Sequence, residues 1–434
     1  MKIYRVGGSV RDELLGRPVI DRDWVVIGAT PEILTASGYK PVGRDFPVFL
    51  HRDTGEEYAL ARTERKHGRG YRGFEFFASP DVTLAEDLAR RDLTINAMAR
   101  DEQGTLIDPF GGQDDLRAGV LRHVSPAFVE DPLRVLRVAR FAARFGFEVA
   151  PETSRLMRKL VASGELAELS PERVWQELSR GLQEPHPARL FGVLRNCGAL
   201  RALLPEVDAL YGDAPRTRRK PREPAQSLIL ALQYAADHAF ALSVRYAVLA
   251  HRLGDPSIRA ARGEHTRARS EADVRTAERI SERLKVPVDC RDAARLAARW
   301  GRIVPRAESL PPATVLDLLG AADALRRPAR LGTLLETCEC VAMSGANGSG
   351  EFAAASWLRA ALKVVKAVDA GAIARAASGK SRGPGKAAQT DVVTAAIRAA
   401  RLKALRGWMR SGRRSGGGVR VAHRSAPGRS RRRS

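Results

Sequence analysis

The sequence predicts an α+β protein, with a mixed strand-and-helix region over residues 1–120 and helices over most of the remainder. Short apolar runs between charged residues and glycines recur up to residue 107, which is typical of strands. From residue 120 onward the apolar residues switch to helical spacing. Residues 200–370 are rich in alanine, leucine and arginine, a composition that favours helix.

Five segments of the first region are predicted strands: 2–6, 24–27, 48–52, 57–61 and, at a sheet edge, 106–107. Residues 24–27 are apolar throughout, so we expect this strand to be buried.

The helical region is interrupted at three places: a proline-rich charged break at 217–224, a flexible loop at 345–350 and a linker at 378–385. One amphipathic helix is predicted over 391–409, and Trp408 on it is expected to dock on the preceding helical body. After residue 411 the chain is a Gly/Ser/Arg sequence, which predicts disorder.

Charge points to a polyanionic partner. The 434 residues carry a net charge of +23, with a pI of about 10.7. Residues 380–434 hold sixteen Lys or Arg and one acid. This basic tail either attracts RNA by counterion release or is a solvated, dispensable extension.

Cysteine and apolar content exclude two protein classes. Four scattered cysteines are too few for a disulfide framework, and 338–340 is a single C-x-C without a second ligand pair. We find no signal peptide and no membrane span, so we expect a cytoplasmic protein without a membrane partner.

Two carboxylates one residue apart, Asp21 and Asp23, lie at the start of the predicted strand 24–27. Residues i and i+2 of a strand point to the same face, so the two carboxylates should project together. Such a pair attracts a hard divalent cation such as Mg²⁺, although pairs of this kind also occur in turns and on surfaces. A glycine turn at 7–8 can present backbone N–H groups to phosphate. Together these features indicate phosphoryl or nucleotidyl transfer.

Five segments carry a family resemblance: 7–12 (GGSVRD), 21–24 (DRDW), 90–97 (RRDLTINA), 108–112 (DPFGG) and 130–134 (EDPLR). In this order and spacing they resemble the motifs of the class II tRNA nucleotidyltransferases. These are the CCA-adding enzymes, which are related to bacterial poly(A) polymerases. The resemblance is dense over residues 1–210, thinner to about residue 370 and absent at the C-terminus.

The resemblance implies a domain order. A polymerase-beta-like nucleotidyltransferase head with a mixed sheet is expected over 1–120, and a helical neck with a nucleotide template over 121–205. A helical body follows over 206–375, and a basic tail over 376–434, largely disordered after 411.

The resemblance also implies roles for the head residues. Asp21 and Asp23 match the catalytic metal ligands, with Glu56 and Glu57 as undecided candidates for a third carboxylate. Nucleotide contacts are expected from Gly8, Arg11, Arg91 and, toward the ribose, Asp92. Asn96 is either a contact or a structural residue, and 108–112 is expected to be chiefly a structural turn.

The helix near residues 130–144 is predicted to have a basic face. Residues 135, 136, 139, 142 and 143 share its core side, and Glu130, Arg134, Arg137, Arg140 and Arg144 share the opposite side. An ordinary amphipathic helix with a Glu130–Arg134 pair is the simpler interpretation. The resemblance implies a protein template instead, in which Asp131 and Arg134 match the base-reading pair that accepts C or A. Arg137 and Arg140 are then expected to contact nucleotide or phosphate.

Residues 61–73 are rich in glycine and charge, which predicts a mobile loop. In the resembling family a loop here is needed for the final A addition, so its presence favours full CCA addition.

The body departs from relatives that carry an HD phosphohydrolase domain. Their His-Asp pair reads His251-Arg252 here, Gln226 or a neighbour stands where an upstream histidine is expected, and Arg299-Trp300-Gly301 replaces a histidine-bearing segment. An arginine would add positive charge beside a metal. We therefore expect a degenerate HD domain without hydrolase activity, in which His251 is a packed helix residue.

The resemblance thus implies addition of C, C and A to the 3′ end of tRNA without a nucleic-acid template, by two-metal nucleotidyl transfer that releases pyrophosphate, with CTP and ATP as substrates and Mg²⁺ as cofactor. A poly(A) polymerase and a non-catalytic RNA-binding protein are the two rival interpretations.

Overall fold

The computed structural model describes residues 1–42, 48–66, 74–212, 224–254, 265–344, 351–379 and 386–415. The chain divides into two compact units. The first consists of Met1–Arg302 and Glu336–Gly350, and the second of Ile303–Leu335 and Glu351–Ser434.

A seven-stranded mixed sheet organises the N-terminal part of the first unit. Its strand order is β3-β4-β5-β2-β1-β8-β9. The strands are β1 (Lys2–Val6), β2 (Asp23–Ile27), β3 (Lys40–Val42), β4 (Val48–Leu50), β5 (Glu57–Leu60), β8 (Ala99–Arg100) and β9 (Leu106–Ile107). The β2–β5 pair is parallel and the other pairs are antiparallel. The predicted α+β class with a mixed sheet is confirmed, and each predicted strand is present to within two residues.

The sheet has a hydrophobic core on each face. Successive residues of a strand point to opposite faces, and Val25 and Val26, both at most 2% exposed, belong to different clusters. Val25 packs with Val6 and Leu88, whereas Val26 packs with Phe49. The run 24–27 is apolar throughout because β2 is covered on both sides.

Four helices accompany the sheet: α1 (Gly8–Leu14), α2 (Pro31–Ala36), α3 (Leu84–Ala89) and α4 (Gly112–Ala118). Thr83 and Glu86 form a capping box at the start of α3. The Asp108 carboxylate accepts hydrogen bonds from the N–H groups of Gly112 and Gln113 at 2.7 and 2.8 Å, so it caps α4. The segment 108–112 is therefore a helix-initiating turn.

The segment predicted as a mobile loop is partly a strand. Residues Arg62–Lys66 form β6, which pairs antiparallel with β7 (Phe74–Ala78). The prediction of a loop over 62–66 is therefore wrong, because a ladder with the aromatic-rich partner strand satisfies their backbone groups. Residues 67–73 lie outside the described residues.

Helices follow the sheet region: α5 (Leu133–Phe145), α6 (Pro151–Ala162), α7 (Pro171–Gln183), α8 (Pro187–Asn196), α9 (Ala199–Leu203), α10 (Pro205–Asp208), α11 (Pro224–Asp237), α12 (Leu242–Ala250), α13 (His265–Arg283) and α14 (Val288–Trp300). A parallel pair, β10 (Val120–Leu121) with β11 (Glu148–Val149), flanks α5. The predicted core side of α5 is confirmed, because residues 135, 136, 139, 142 and 143 are at most 2% exposed.

The second unit is helical where it is described. It contains α15 (Pro312–Ala321), α17 (Ala353–Lys366), α18 (Ala370–Gly379) and α19 (Lys386–Ser415), while α16 (Pro328–Met343) belongs partly to each unit. The Trp408 ring of α19 lies 5.0 Å from that of Trp357 on α17, so it packs on a preceding helix as expected.

The C-terminal predictions need two corrections. The last helix extends over Lys386–Ser415 rather than 391–409, so residues 412–415, which were predicted to be disordered, are helical. The two alanines of 386–390 favour helix and account for the N-terminal extension, whereas nothing in the sequence of residues 410–415 explains the C-terminal one. Residues 213–223, 345–350, 380–385 and 416–434 lie outside the described residues, and they include most of the predicted break, loop and linker and the last part of the basic tail.

Among the described helices, none is both long and apolar enough to cross a bilayer. The four cysteines are buried free thiols. Burial raises the pKa of Cys338 and that of Cys340 to about 12, so both remain protonated at neutral pH.

Candidate functional site

A strongly basic cavity of about 560 Å³ lies between the N-terminus of α1, the start of β2, the segment after α3 and one side of α5. Among the described residues it is lined by Gly7, Gly8, Arg11, Asp23, Arg62, Arg90, Arg91, Asp92, Asn96, Asp131, Leu133, Arg134, Arg137, Arg140, Phe141, Arg144 and Arg173. Nine of these residues are arginines and three are aspartates. The excess of positive charge suits a polyphosphate ligand.

The glycine turn brings the backbone close to an arginine. Gly7 precedes α1 with φ of +69°, a conformation that favours glycine. A Cβ atom on Gly7 would lie 2.7 Å from Arg91 Nη1. A Cβ atom on Gly8 would lie 3.4 Å from Arg11 Nη2. At Gly7 the positive φ favours glycine, and any side chain there would displace the end of Arg91.

Arg11 is held in the wall of the cavity. Its side chain is buried, its Nε donates to Asp12 at 2.9 Å and its Nη1 donates to Asn96 Oδ1. The guanidinium also lies 4.9 Å from the centre of the Phe145 ring. Burial lowers the pKa of Arg11, and the Asp12 carboxylate opposes that shift. These contacts fix the direction of the guanidinium.

Asp23 is the predicted metal ligand that reaches the cavity. It is the first residue of β2, and burial raises the pKa of Asp23, with Arg91 opposing and the like charge of Asp21 adding to the shift. Asp21 precedes β2 and, like Asp23, is exposed, but it does not line the cavity in this structure. The two carboxylates are thus close enough to influence each other, but only Asp23 faces the arginines.

The register of β2 and β5 separates the two undecided glutamates. Asp23 is paired with Glu57 across the parallel strands. Glu56 accepts a hydrogen bond from the Trp24 indole at 3.0 Å and is 3.5 Å from Arg22. Because neighbouring residues alternate between faces, Glu57 shares the face of Asp23, and Glu56 belongs with Trp24.

Two adjacent arginines after α3 share a buried partner. The Asp87 side chain is fully buried and accepts from Arg90 Nη2 at 2.7 Å and from Arg91 Nη2 at 3.2 Å. Burial favours the neutral acid, yet the two guanidinium groups hold the pKa of Asp87 below its usual range. The predicted phosphate contact Arg91 is therefore oriented by a residue outside the cavity.

Asp92 accepts three hydrogen bonds from neighbouring residues. It accepts from the Leu93 N–H at 2.9 Å, from Asn96 Nδ2 at 3.0 Å and from Arg137 Nε at 2.7 Å. Burial opposes its ionisation, but Arg137 and the Asn96 amide hold the pKa of Asp92 far below its usual range. Asn96 Oδ1 also accepts from Arg11, so the Asn96 side chain connects Asp92 with Arg11.

The predicted template pair lies at the start of α5. Asp131 accepts from the Leu133 N–H at 2.9 Å and lies 3.3 Å from Arg173. The Arg134 guanidinium donates to the carbonyls of Ala127 and Arg90 at 2.9 and 2.6 Å. The simpler interpretation, a Glu130–Arg134 pair within one helix, does not describe this geometry, because Glu130 ends a preceding 3-10 helix.

The basic side of α5 faces the cavity rather than open solvent. Arg140 is buried and its Nε donates to the buried Glu177 at 2.6 Å. Arg144 donates to Asp12 at 3.1 Å. The Phe141 ring lies 4.4 Å from the Arg140 guanidinium and 5.6 Å from that of Arg137. Carboxylates and an aromatic ring thus hold these arginines in place.

The structure brings nine of the ten predicted site residues together around the cavity: Gly8, Arg11, Asp23, Arg91, Asp92, Asp131, Arg134, Arg137 and Arg140. Asp21 is the exception. Sequence reasoning missed Asp87 and Glu177, which orient lining residues from neighbouring helices, and Arg173, which lines the cavity itself and pairs with Asp131. Asp87 lies four residues before Arg91, an i,i+4 spacing that could have indicated the pairing, whereas Glu177 and Arg173 carry no such local signal.

The region compared with an HD domain places cations around His251. The imidazole is buried, and its Nδ1 donates to the Val248 carbonyl at 2.9 Å. Burial and the neighbouring Arg252 lower the pKa of His251 to about 3. Arg302 donates to the buried Asp273 at 2.6 Å. Among the described residues, no group of three or more His, Cys, Asp or Glu is arranged to hold a metal.

Two family models match the chain. Residues 3–122 match the poly A polymerase head domain, and residues 146–211 match the probable RNA and SrmB-binding site of polymerase A. The first match contains the sheet and the segment 90–97. The second begins directly after α5.

Full-length relatives decide the family. A multifunctional CCA protein of Azoarcus sp. (strain BH72) is 53% identical over 410 residues, covering 94% of this chain and 98% of that protein. Another, from Nitrosomonas europaea, is 54% identical over 380 residues and covers 86% and 91%. The chain belongs to the bacterial class II CCA-adding enzymes.

A solved structure of a CCA-adding enzyme has the same fold. The Bacillus stearothermophilus CCA-adding enzyme in complex with CTP superposes with a TM-score of 0.62 and 27% identity, covering 95% of this chain and 93% of that one. The likeness includes the polymerase-beta-like head of the CCA-adding enzymes.

Nucleotidyltransferases of this superfamily generally use divalent metals, and the cavity fits one. Among the described residues none donates a hydrogen bond to the Asp23 carboxylate, whose raised pKa reflects burial beside Asp21. A divalent cation would compensate both carboxylates. Two carboxylates, with phosphate oxygens and water, make a sufficient ligand set for a hard cation.

Proposed function

We propose that this protein adds C, C and A in turn to the 3′ end of tRNA, using CTP and ATP and releasing pyrophosphate. One observation carries the proposal: a single cavity is lined by Asp23, by the arginines expected to contact phosphate, and by the Asp131/Arg134 pair. The names of its relatives and the CTP complex of the Bacillus stearothermophilus enzyme support it.

We propose that the wall formed by Gly8, Arg11 and Arg91 holds the triphosphate. Arg11 and Arg91 point their guanidinium groups into the cavity from fixed partners, so little side-chain entropy is lost when a phosphate binds. Asp92 lies next to them and is proposed to contact the ribose, while Arg137 neutralises its charge. Arg140 would meet the base or phosphates from α5.

We propose that Asp21 and Asp23 bind Mg²⁺. Of two ions bound there, one would favour deprotonation of the attacking 3′-hydroxyl, and the other would stabilise charge on the triphosphate and the leaving pyrophosphate. The carboxylates position the reacting groups, and the arginines stabilise the negative charge of the phosphates. This chemistry requires no nucleophilic side chain, because the attacking group is the 3′-hydroxyl of the tRNA.

Selection of C and A is proposed to depend on Asp131 and Arg134. Asp131 offers hydrogen-bond acceptors and Arg134 offers donors, and both are oriented by neighbours before a base arrives. A base with the wrong edge would leave the half-buried Asp131 and the buried Arg134 unpaired with it, which is costly. The pair can therefore discriminate among bases without a nucleic-acid template.

The body is proposed to lack phosphohydrolase activity and to support tRNA binding, as a degenerate HD domain. Arg252 beside His251 and the Arg302–Asp273 ion pair put cations where a divalent metal would need anions. With Ni²⁺ or Mg²⁺ added, the protein should not hydrolyse bis(p-nitrophenyl) phosphate. Metal-dependent hydrolysis that is lost in His251→Ala would refute this part of the proposal.

The proposed domain order remains head 1–120, neck 121–205, body 206–375 and tail 376–434. We further propose that the protein acts in the cytoplasm, where its tRNA substrates are. A shortened chain that ends after residue 415 would test whether the remaining basic tail contributes to tRNA affinity. Salt-dependent loss of affinity in that variant would support an RNA-attracting tail.

The test of the main proposal is extension of a tRNA that lacks its last three nucleotides. Each labelled nucleoside triphosphate is supplied separately, and then CTP with ATP, beside an Asp21→Ala control. The proposal predicts two C residues, one A and then a stop, with no extension by the control. A long A ladder without C would indicate a poly(A) polymerase, and binding without extension would indicate a non-catalytic RNA-binding protein.

A further inference from the structure

Asp87 lies behind the cavity wall and contacts three residues that line it. Its carboxylate is fully buried on α3 and does not itself line the cavity. Oδ1 accepts from Arg90 Nε and Nη2 at 3.1 and 2.7 Å, and from the backbone N–H of Arg62 at 3.4 Å. Oδ2 accepts from Arg91 Nη2 at 3.2 Å. One carboxylate therefore connects two consecutive arginines with the first residue of β6.

These contacts answer a physical problem in the wall. Arg90 and Arg91 are adjacent cations on long, rotatable side chains, so they repel each other and would spread over several rotamers. A charged partner between them offsets the repulsion and fixes both guanidinium groups. Arg91 Nη1 also donates to the Asn96 carbonyl at 3.5 Å. The absence of a side chain on Gly7 leaves the space that this guanidinium group occupies.

We propose that Asp87 is a positioning residue for nucleotide binding: it holds Arg90 and Arg91 in the geometry that receives the triphosphate and ties them to the start of β6. This inference rests on the proposed function, because it assigns those arginines to a nucleoside triphosphate. Asp87 acts through the arginines and touches no reacting atom. Its effect should therefore be the same for CTP and for ATP.

Asp87→Asn is the informative variant, since it keeps the shape of the side chain and removes its charge. Asp115→Asn is the matched control. Asp115 is also a buried carboxylate in this part of the chain, accepts from Thr94 Oγ1 at 2.7 Å and from Arg122 at 3.0 Å, and lies outside the cavity lining. Both variants remove the charge of a buried aspartate that bonds to arginine. Only Asp87 bonds to arginines that line the cavity.

Equilibrium binding of inorganic tripolyphosphate and of CTP is measured for the full chain, with KM and kcat for tRNA extension and a melting curve for each variant. We expect Asp87→Asn to weaken tripolyphosphate and CTP binding about tenfold, and to raise KM for CTP and ATP equally. Asp115→Asn should lower the melting temperature without changing either affinity. Asp87→Glu, which keeps the charge, should recover part of the lost affinity.

The inference is overturned if folded Asp87→Asn protein binds tripolyphosphate as tightly as the wild type, or if both Asp87 variants fail to fold, since either result leaves only a structural role. Failure of the proposed function is distinguishable: the wild-type protein itself would then not extend tRNA or bind CTP.

Discussion

Arg137 Nε donates to Asp92 Oδ2 at 2.7 Å, and this ion pair joins the segment after α3 to α5. The Asp92 side chain is 7% exposed and that of Arg137 is 34% exposed, so the pair lies at the boundary between core and cavity. The sheet that carries Asp23 and the helix that carries the predicted template are thus connected at the nucleotide site itself. Rearrangement of either element would change the other.

A double-mutant cycle on Asp92→Asn and Arg137→Gln should show strong coupling. Each single variant leaves a half-buried charge without its partner, while the double variant removes both charges. We expect a coupling free energy of about 1.5 kcal/mol from urea unfolding curves. A cycle on the exposed pair Asp114 and Arg117 serves as control and should give less than about 0.5 kcal/mol. Equal values for the two cycles would contradict the importance of the Asp92–Arg137 pair.

Glu177→Gln should be strongly destabilising. Glu177 and Arg140 are 3% and 8% exposed at their side chains, so the variant leaves a buried guanidinium without an anion. We expect the free energy of unfolding to fall by about 3 kcal/mol. Asp317→Asn breaks the Arg398 pair, in which both side chains are 48% exposed, and should cost about 0.5 kcal/mol or less. Chemical denaturation of both variants measures the difference, and similar losses would refute it.

Stability should decrease as the pH is lowered from 6.5 toward 3, in part through His251. Its pKa is lowered to about 3 in the folded protein, whereas an unfolded histidine titrates near about 6.5. The unfolded state therefore binds the extra proton over this window, which costs about 2 kcal/mol at pH 5. His251→Asn should lose less stability between pH 7 and pH 5 than the wild type does, as measured by urea unfolding.

His238→Asn is the control for that experiment, because His238 bonds to the Tyr234 carbonyl through Nδ1 in a similar way but is exposed. It should show the same loss between pH 7 and pH 5 as the wild type. If His251→Asn also follows the wild type, His251 does not cause the acid sensitivity.

Gly7→Ala should impair nucleotide binding more than folding. The new Cβ would strain a left-handed backbone and push Arg91 Nη1, which lies 2.7 Å from the Cβ position. We expect KM for CTP to rise about tenfold. Gly28 has a similar φ of +73° but lies at the end of β2, outside the cavity lining. Gly28→Ala should cause comparable strain and leave KM unchanged, and equal effects of the two variants on KM would exclude the Arg91 explanation.

Much of the fold could be predicted because its signals are local. The strand 24–27 is apolar on both faces, and Val25 and Val26 indeed enter different cores. Residues 135–143 follow helical spacing and bury the expected side. The hairpin β6–β7 escaped prediction because Arg62–Lys66 is highly charged, and its pairing depends on a partner strand beyond residue 73. Strand pairing of that kind is tertiary information.

The site divides in the same way. Motif spacing brought together Gly8, Arg11, Asp23 and the residues of 90–92 and 131–140, because the family resemblance encodes their tertiary proximity. The residues that hold those arginines were not predictable with equal ease. Glu177 lies 37 residues from Arg140, and only the packing of α7 beside α5 makes the contact. Asp87 and Glu177 are buried, so their ion pairs fix the cavity arginines in place. Solvated surface pairs of the same residues would contribute little.

The most direct test of the account is the effect of Asp23→Asn on tRNA extension with CTP and ATP, with tRNA and CTP affinities measured on the same preparation. The substitution keeps the shape of the side chain and removes the negative charge that faces the cavity. We predict that extension falls at least about a thousandfold while tRNA affinity stays within about twofold of the wild type. Extension at the wild-type rate by folded Asp23→Asn protein would show that this cavity is not the catalytic site.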